Sequence, residues 1–248
     1  MLLVGILLST SGFSQNSAPY NPDGNGDGMI TVLDLQDFLS TYGLAFEATA
    51  STWSCGEPIL YAGVGYSTVQ IGDQCWFAEN LRTTTYLNGE AIPQNLSFGD
   101  WSSTTSGAMA FYNYNDGSAY GGLYNWYAVD DARGLCPSGW HVPTDAEWTI
   151  LTDHLGGESV AGGQMKTTYG WNGGGNGTNS SGFSGLPGGS RGSNGGFGGA
   201  GDFGGWWSSS PSGSNAWFRF LGSSGEDVGR FDSNPQIGFS VRCVRDAE

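Results

Sequence analysis

Residues 135–157, LCPSGWHVPTDAEWTILTDHLGG, predict the clearest helix in the chain. Thr144 and Glu147 have the spacing of a capping box, in which two side chains bind backbone N–H groups at the start of a helix. Large apolar residues then recur on one helix face, namely Trp148, Leu151 and Leu155. Gly156 is typical of the residue that ends a helix. We therefore expect a helix after Thr144 that packs against a core.

Strand patterns lie on both sides of this helix. In STVQIGDQCWFAEN, residues 67–80, two short apolar runs flank Gly72 and Asp73, a pair typical of a hairpin turn. Three later segments alternate between apolar and polar residues: NAWFRFLG at 215–222, DVGRF at 227–231 and IGFSVRCVRD at 237–246. The last is expected to be a strand whose apolar side contains Phe239, Val241 and Cys243. The expected fold class is α+β.

The region at residues 170–205 is rich in glycine and asparagine. A flexible linker would not need large apolar side chains, yet several lie in this region or directly after it: Phe183, Leu186, Phe197, Phe203, Trp206 and Trp207. We interpret the region as a long ordered loop that these side chains hold in place.

The charge of the chain excludes one class of partner. There are 8 basic and 23 acidic residues, which give a net charge of -15. Such a chain repels nucleic-acid phosphates and anionic lipid, so nucleic acid is not an expected partner. Lys166 is the one lysine, and we interpret the arginines as mostly structural because guanidinium groups tolerate partial burial.

The N-terminus has the pattern of an export signal. The apolar run at residues 2–8 is too short to cross a membrane, and the small residues Gly12 and Ser14 suit cleavage before Gln15. The alternative is a buried N-terminal strand. With a signal peptide at 1–14 and no second hydrophobic span, we expect a protein without a membrane span that is secreted or displayed at the cell surface.

Four cysteines allow three disulfide pairings. Their even number, their long spacings and the lack of a CxxC pair fit disulfides in an oxidising compartment. We favour Cys55 with Cys75, which closes a local loop, and Cys136 with Cys243, which ties the last predicted strand to the middle of the chain. The second bridge would stabilise the fold by about 4 kcal/mol if it acts through chain entropy.

Residues 21–43, NPDGNGDGMITVLDLQDFLSTYG, predict a calcium loop followed by a helix at about 31–41. The oxygen ligands of an EF-hand-type loop occupy fixed positions, which here carry Asp23, Asn25, Asp27, Met29 through its carbonyl, and Asp34. Thr31 is a further contributor, and Gly28 permits the sharp turn. Calcium is therefore the expected cofactor. The alternative is a metal-free turn rich in aspartate and glycine.

This loop and helix resemble a dockerin repeat, the calcium-binding unit of secreted polysaccharide-degrading assemblies. Asp34 at the twelfth position carries the resemblance, together with Pro19 and Pro22, which exclude a helix before the loop. Dockerins have two repeats and this chain has one, so the resemblance implies calcium binding and leaves cohesin binding aside. We predict a dockerin-like unit at 15–43 and a linker at 44–58.

Six blocks of the remaining chain resemble, in order, the Fibrobacter succinogenes major paralogous domain. They are QIGDQCWFAENLRT, GGLYNWYAV, LCPSGWHVPTDAEW, NSSGFSGLPGGSR, GWWSSS and GFSVRCVRD. The resemblance covers residues 59–246. It implies an irregular C-type-lectin-like domain with long glycine-rich loops, similar in layout to formylglycine-generating enzymes, and it supports the Cys136–Cys243 pairing. It implies no established activity.

Catalysis is not expected. The sequence has no GxSxG element and no HExxH motif, and the histidines, His141 and His154, are interpreted as structural. The cysteines are better explained as bridges than as nucleophiles. Adjacent acids such as Asp130 and Asp131 could serve glycoside hydrolysis, but neighbours of this kind are more often solvated turns. A polysaccharide-active enzyme is the least favoured alternative.

A role in cell-surface recognition or adhesion is favoured, with a glycan or another surface or matrix component as the ligand. Sugar sites use aromatic stacking faces and polar anchors. The candidates are Trp171, Asn172, Asp202, Trp206, Trp207, Asn215 and Trp217. The calcium unit would hold the larger domain at a surface or in an assembly. The alternative is a structural subunit that self-assembles into an extracellular filament or coat.

Overall fold

The structure is a computed structural model that describes residues 53–117 and 119–247. The predicted signal peptide, the predicted calcium loop and helix, and most of the predicted linker lie outside the described residues. The chain from Trp53 to Glu248 forms one unit, which begins ahead of the predicted domain start at residue 59. None of the helices in the described part of the chain has the length and apolar character needed to cross a membrane.

Twelve strands within the described residues form four sheets. Two hairpins are β1 (Ile59–Tyr61) with β2 (Val64–Tyr66), and β5 (Met109–Phe111) with β6 (Gly122–Tyr124). A three-stranded sheet consists of β3 (Thr68–Ile71), β4 (Gln74–Phe77) and β12 (Val244–Asp246). A five-stranded sheet consists of β7 (Gly188–Arg191), β8 (Phe197–Ala200), β9 (Phe203–Ser212), β10 (Asn215–Gly222) and β11 (Val228–Ser233). Its strand order is β11-β10-β9-β7-β8. The hairpin predicted around Gly72 and Asp73 is formed by β3 and β4.

Four α-helices lie in the same part of the chain: α1 (Phe98–Ser103), α2 (Trp126–Val129), α3 (Asp145–His154) and α4 (Glu158–Met165). Short 3-10 segments occur at Tyr112–Tyr114 and Asn172–Gly174. The helix predicted after Thr144 is α3, and its capping box is present. Thr144 Oγ1 accepts the Glu147 N–H at 3.2 Å, while the Glu147 carboxylate accepts the Thr144 N–H at 2.7 Å. The presence of both helices and sheets confirms the broad α+β class.

The five-stranded sheet is covered on both faces. The cluster on the side of α3 and α4 contains Trp148, Leu151, Met165, Trp206, Leu221 and Val228. The cluster on the opposite side contains Tyr124, Trp207, Phe218 and Phe239. Because neighbouring residues of a strand point to opposite faces, Trp206 and Trp207 enter different cores.

Both disulfides have the favoured pairing. Cys55 is bonded to Cys75 and Cys136 to Cys243, with Cα atoms 5.8 Å apart in each bridge. Cys75 lies in β4, which pairs with β12 directly after Cys243. The two bridges therefore fasten both the N-terminal edge of the unit and the segment before α3 to one small sheet.

Asp145 connects the start of α3 to the five-stranded sheet. Its carboxylate accepts hydrogen bonds from Arg219 Nη1 at 2.6 Å and from Arg230 Nη2 at 2.8 Å. Burial opposes ionisation of Asp145, but the two guanidinium groups outweigh it and hold the pKa of that carboxyl below its ordinary value. The first residue of the helix is thus anchored to β10 and β11.

The expectation of a long loop at residues 170–205 is wrong in part. The region contains β7, β8 and the start of β9. Its glycines permit close approach of the strands: a Cβ at Gly189 would lie 2.2 Å from the Gly198 carbonyl oxygen. Glycine in this region therefore marks tight strand packing as well as loops.

The expectation of one continuous strand at residues 237–246 is also wrong. A regular strand forms only at Val244–Asp246, while Gly238, Phe239 and Ser240 make isolated bridges to three different segments. The polar side chains Ser240 and Arg242 are as buried as Val241. The alternating sequence does not mark a solvent-facing side, because this segment is surrounded on all sides.

His141 is bonded to the same glutamate that caps α3. Its Nε2 lies 2.6 Å from Glu147 Oε1. This hydrogen bond raises the pKa of His141 above its ordinary value. Burial opposes ionisation of Glu147, but the bonds from His141 and Thr144 outweigh it and lower the pKa of Glu147. The pair is therefore structural and pH-dependent.

We expect a pH dependence of stability from this pair. A raised histidine pKa gives stability that is complete below the ordinary value of 6.5 and is lost as pH rises through the folded value. The lowered Glu147 pKa gives stability that is complete above the ordinary value of 4.5 and is lost as pH falls. The pair should stabilise most between these two values, and the free energy of unfolding should decline as pH rises above that window. Urea unfolding across pH should show this decline in the wild type and not in His141→Gln. The matched control, His154→Gln, keeps the His141–Glu147 pair and should keep the decline. If the free energy of unfolding changed with pH by the same amount in all three proteins, the decline would not come from this pair.

Candidate ligand-binding pocket

Three of the predicted stacking tryptophans are core residues. Trp206 and Trp207 are fully buried and Trp171 is nearly so. Their indole N–H groups are also bound: Trp206 Nε1 donates to Asn80 Oδ1 at 2.8 Å and Trp207 Nε1 to the Tyr124 carbonyl at 2.8 Å. The assignment of these three residues to an exposed sugar site is wrong, because Trp206 and Trp207 lie under the two covered faces of the sheet and Trp171 is packed in the cluster on the side of α3 and α4.

The other predicted candidates form separate pairs. Asn172 Nδ2 donates to Asp202 Oδ1 at 2.9 Å, and Asn215 Nδ2 donates to Asp232 Oδ2 at 2.8 Å. Trp217 is half-buried, and the Arg230 guanidinium lies 3.7 Å from its ring centroid. These contacts show local structural roles and do not bring the predicted set together around one site.

One of the two adjacent acids considered for glycoside hydrolysis is held by an arginine. Asp131 is engaged by Arg133, whose hydrogen bonds lower the pKa of that carboxyl to about 2. No group of three or more His, Cys, Asp or Glu within residues 53–117 and 119–247 is placed to hold a metal ion. The predicted calcium ligands Asp23, Asn25, Asp27, Met29 and Asp34 lie outside the described residues.

One surface pocket is built mainly from segments that belong to the sequence blocks. Its volume is about 310 Å³, at the low end of the range for small-ligand sites. It is lined by Ser67, Ala78, Glu79, Asn80, Ala119, Thr167, Tyr169, Ser184 and Leu186. We call it the Glu79 pocket. These residues are far apart in sequence, so their meeting point depends on the tertiary structure.

Asn80 forms the floor of the Glu79 pocket and is saturated with hydrogen bonds. Its Nδ2 donates to the Tyr120 carbonyl at 2.8 Å and to Ser240 Oγ at 3.2 Å. Its Oδ1 accepts from Trp206 Nε1 at 2.8 Å and from Arg242 Nε at 2.9 Å. A buried amide with all its groups bonded fixes its neighbours in one arrangement. Asn80 therefore organises the pocket and is not free to bind a ligand.

Arg242 lies beneath Asn80 and is completely buried. Its guanidinium donates to the carbonyl oxygens of Phe77 at 3.2 Å, Ser184 at 2.9 Å and Phe183. The Phe183 ring lies 3.9 Å from the guanidinium carbon, within range of a cation–π interaction. Burial lowers the pKa of Arg242 to about 9, and nearby Glu79 opposes that shift. The group remains a cation at neutral pH and holds the pocket wall at Phe183 and Ser184.

Glu79 supplies the charge of the pocket. Its Oε2 accepts the Ser67 N–H at 2.8 Å and its Oε1 accepts the Ser67 hydroxyl at 3.1 Å. A carboxylate has about four acceptor positions, so about two remain for groups that enter the pocket. Glu79 is the one ionisable acid or base among the lining residues apart from the phenol of Tyr169.

Tyr169 supplies an aromatic surface at the same pocket. Tyr169 is 63% exposed. Its hydroxyl has no hydrogen-bond partner within the described residues, whereas its carbonyl accepts from Thr167 Oγ1 at 2.7 Å. The backbone at Tyr169 is thus fixed while one ring surface and the hydroxyl face solvent.

Two further cavities adjoin each other on the side of α4. They share Asn176 and Glu226 and have volumes of about 310 and 300 Å³. Neither has an aromatic side chain in its lining. Of these three cavities in the described part of the chain, the Glu79 pocket is the one lined by both an aromatic residue and a carboxylate.

Sequence reasoning missed Glu79, Asn80 and Tyr169 as site residues. A signal was present for the first two, because a charged residue and an amide directly follow the apolar strand QCWF within a block that carries the family resemblance. Tyr169 has no comparable signal. Gly170 directly follows it with φ of +90°, a backbone conformation that glycine adopts readily.

Fold and site define a disulfide-bonded α+β domain in which buried polar groups fix a small surface pocket with both polar and apolar lining residues. Within that class, the chain belongs to the Fibrobacter succinogenes major domain family, whose family model matches residues 69–245. No curated protein and no solved structure matches the chain.

We expect Arg242→Lys to destabilise the protein strongly. Lysine keeps the charge but cannot bond four oxygens in a planar fork, so buried acceptors lose their partners. Loss of about 3–5 kcal/mol in the free energy of unfolding is expected, measured by urea denaturation at neutral pH. The control is Arg133→Lys: Arg133 forms a surface ion pair with Asp131, and exposed pairs contribute little to stability, so this substitution should cost much less than Arg242→Lys. Equal effects of the two substitutions would show that Arg242 has no special role.

Proposed function

We propose that this chain is a secreted, calcium-binding, non-catalytic protein that acts in recognition or adhesion at an extracellular surface. In this proposal the large domain binds a neutral glycan in the Glu79 pocket. The observation that carries the proposal is the exposed ring of Tyr169 at the edge of a pocket that also contains the Glu79 carboxylate.

The chemistry of the pocket suits a sugar. A sugar ring has C–H groups on its faces and hydroxyl groups at its edges. Aromatic faces contact the first, and carboxylate or carbonyl acceptors bind the second. A volume of about 310 Å³ admits a ligand of the size of one or two sugar rings.

Charge favours a neutral glycan over an acidic one. Glu79 would repel a uronic or sialic acid at hydrogen-bond distance, and the net charge of -15 adds a repulsion over longer range. Arg242 does not reverse this preference, because its guanidinium is buried and bonded to protein oxygens. A polysaccharide without carboxylates is therefore the favoured ligand class.

The pocket is prepared for binding before the ligand arrives. Asn80 and Arg242 fix the floor and one wall through hydrogen bonds to segments that are distant in sequence. A preformed site avoids the entropy loss of ordering loops on binding. A preformed pocket therefore supports a recognition role even though the chain contains 44 glycines.

The binding proposal is tested by glycan-array screening followed by calorimetry with the best neutral oligosaccharide. We expect Tyr169→Ala to weaken binding about 3- to 10-fold, from the loss of about 0.5–1.5 kcal/mol of aromatic contact. Glu79→Gln removes a charged acceptor worth about 1.5–3 kcal/mol and should weaken binding by tenfold or more.

Phe98→Ala is the matched control for this experiment. Phe98 is an exposed aromatic residue on α1 that does not line the Glu79 pocket, so its loss should leave the affinity unchanged. Binding that survives in Tyr169→Ala and Glu79→Gln at the wild-type level would place any glycan site elsewhere. Turnover of the oligosaccharide would instead support the enzyme alternative.

Calcium binding at the N-terminal loop is a separate part of the proposal, supported by the spacing of Asp23, Asn25, Asp27, Met29 and Asp34. Its role would be to order a docking or spacer unit that holds the large domain at a surface. Extracellular modules of this type bind calcium with Kd on the order of 0.1–1 mM.

We expect calcium titrated into the full chain to give a heat of binding that is lost in Asp23→Ala and in Asp27→Ala. These residues are in the first and fifth loop positions, where each contributes a carboxylate oxygen. Asp37→Ala is the control, because Asp37 lies in the predicted helix outside the ligand positions. A wild-type chain that shows no calcium heat at millimolar metal would refute this part and leave the glycan proposal standing.

A further inference from the structure

Strand β11 is an exposed edge of the five-stranded sheet. It pairs with β10 on one side and lies at the end of the strand order. Within residues 53–117 and 119–247, no backbone group of a neighbouring segment is hydrogen-bonded to its outer edge. Its central residues Arg230, Phe231 and Asp232 are exposed. Unpaired edge strands are templates for pairing with another chain.

The residues at the centre of β11 form a self-complementary pattern. Phe231 is flanked by a cation, Arg230, and an anion, Asp232. In an antiparallel pair of two β11 strands with Phe231 opposite Phe231, each Arg230 faces the Asp232 of the other copy. This arrangement has two-fold symmetry, as the contact of a closed dimer requires. Other registers would lose one or both charge pairs.

Arg230 and Asp232 each keep unused bonding capacity for such a contact. Arg230 uses Nε and Nη2 on Asp145, and its Nη1 has no hydrogen-bond partner within the described residues. Asp232 uses Oδ2 on Asn215, and its Oδ1 likewise has no partner there. The existing bonds hold both side chains in place, so the free atoms are preorganised on one face of the sheet.

Phe231 supplies the apolar part of the contact on the opposite face. Its side chain is 53% exposed and extends an aromatic row, with ring centroids 6.2 Å from Phe220 and 6.0 Å from Phe218. The ring lies over Gly229, where a Cβ would be 2.4 Å from a ring carbon. A second Phe231 directly across the strands would cover the exposed part of this ring.

We propose that β11 is a self-association surface at which a second copy of this chain adds its own β11 in antiparallel orientation, with Phe231 opposite Phe231. The contact joins two five-stranded sheets edge to edge into one continuous sheet of ten strands. A dimer of this kind would display two Glu79 pockets, and two linked sites raise avidity for a repetitive ligand. The self-association itself does not depend on the glycan proposal.

Sedimentation velocity of the full chain tests this proposal, at 150 mM NaCl, where charges more than roughly 8 Å apart are largely screened. A single edge contact is in the weak class, so we expect a monomer–dimer equilibrium with Kd of roughly 10–100 μM. Asp232→Lys sets like charges opposite each other and should raise this Kd by at least about tenfold. A wild-type chain that stays monomeric to several hundred micromolar would overturn the proposal.

Cysteine cross-linking tests the register. In Phe231→Cys the two new side chains would face each other with Cβ atoms about 4.5–5.5 Å apart, close enough for a disulfide after small adjustment. The matched control is Ser233→Cys on the same strand, where the two copies would be roughly 13 Å apart along the strand direction. We expect rapid dimer formation by Phe231→Cys under mild oxidation and little by Ser233→Cys. Equal cross-linking at the two positions, or none at either, would overturn the proposed pairing.

Discussion

The buried guanidinium of Arg242 is the interaction on which the rest of the domain depends. It bonds carbonyl oxygens of Phe77, Phe183 and Ser184 and the side chain of Asn80. These groups belong to β4, to the chain directly after it and to the glycine-rich region. A cation in this position is stable because its donors are occupied and an aromatic ring covers one face. If Arg242 is removed, several buried carbonyl groups lose their hydrogen-bond donors at the same time.

Side-chain cations also donate hydrogen bonds to backbone carbonyl groups elsewhere in the described residues. Irregular, glycine-rich backbone leaves many carbonyl groups without strand or helix partners, and buried carbonyls must be satisfied. Arg191 donates to the carbonyls of Gly195 and Leu96, and Lys166 donates to those of Gly222 and Gly225. These cations serve carbonyl groups in the interior of the domain. That interior role is consistent with the low number of cations in an acidic chain. The disulfides also stabilise this irregular fold, because they limit the conformational freedom of the unfolded chain.

Local signals in the sequence predicted the local structure well. The capping box at Thr144 and Glu147 predicted α3, and the Gly72–Asp73 turn predicted the β3–β4 hairpin. Burial was harder to predict: Trp206 and Trp207 resemble exposed stacking residues until both faces of the sheet are known to be covered. The Glu79 pocket could not be predicted from spacing, because Glu79 and Tyr169 are brought together only by long-range contacts. The calcium ligands have regular spacing and were predicted from sequence alone, which is why that part of the proposal does not depend on the fold.

Hydrogen–deuterium exchange of the native chain tests the role of the buried cation most directly. The Gly185 N–H donates to the Met165 carbonyl at 2.8 Å and the Thr167 N–H to the Gly185 carbonyl at 3.0 Å, next to the wall that Arg242 holds. If Arg242 makes the glycine-rich segment part of the core, these two amides should exchange within about tenfold of the slowest amides of β10, through global unfolding. Exchange at Gly185 and Thr167 that is about a hundredfold faster than in β10 would show that the segment opens independently, and would contradict this account of the domain.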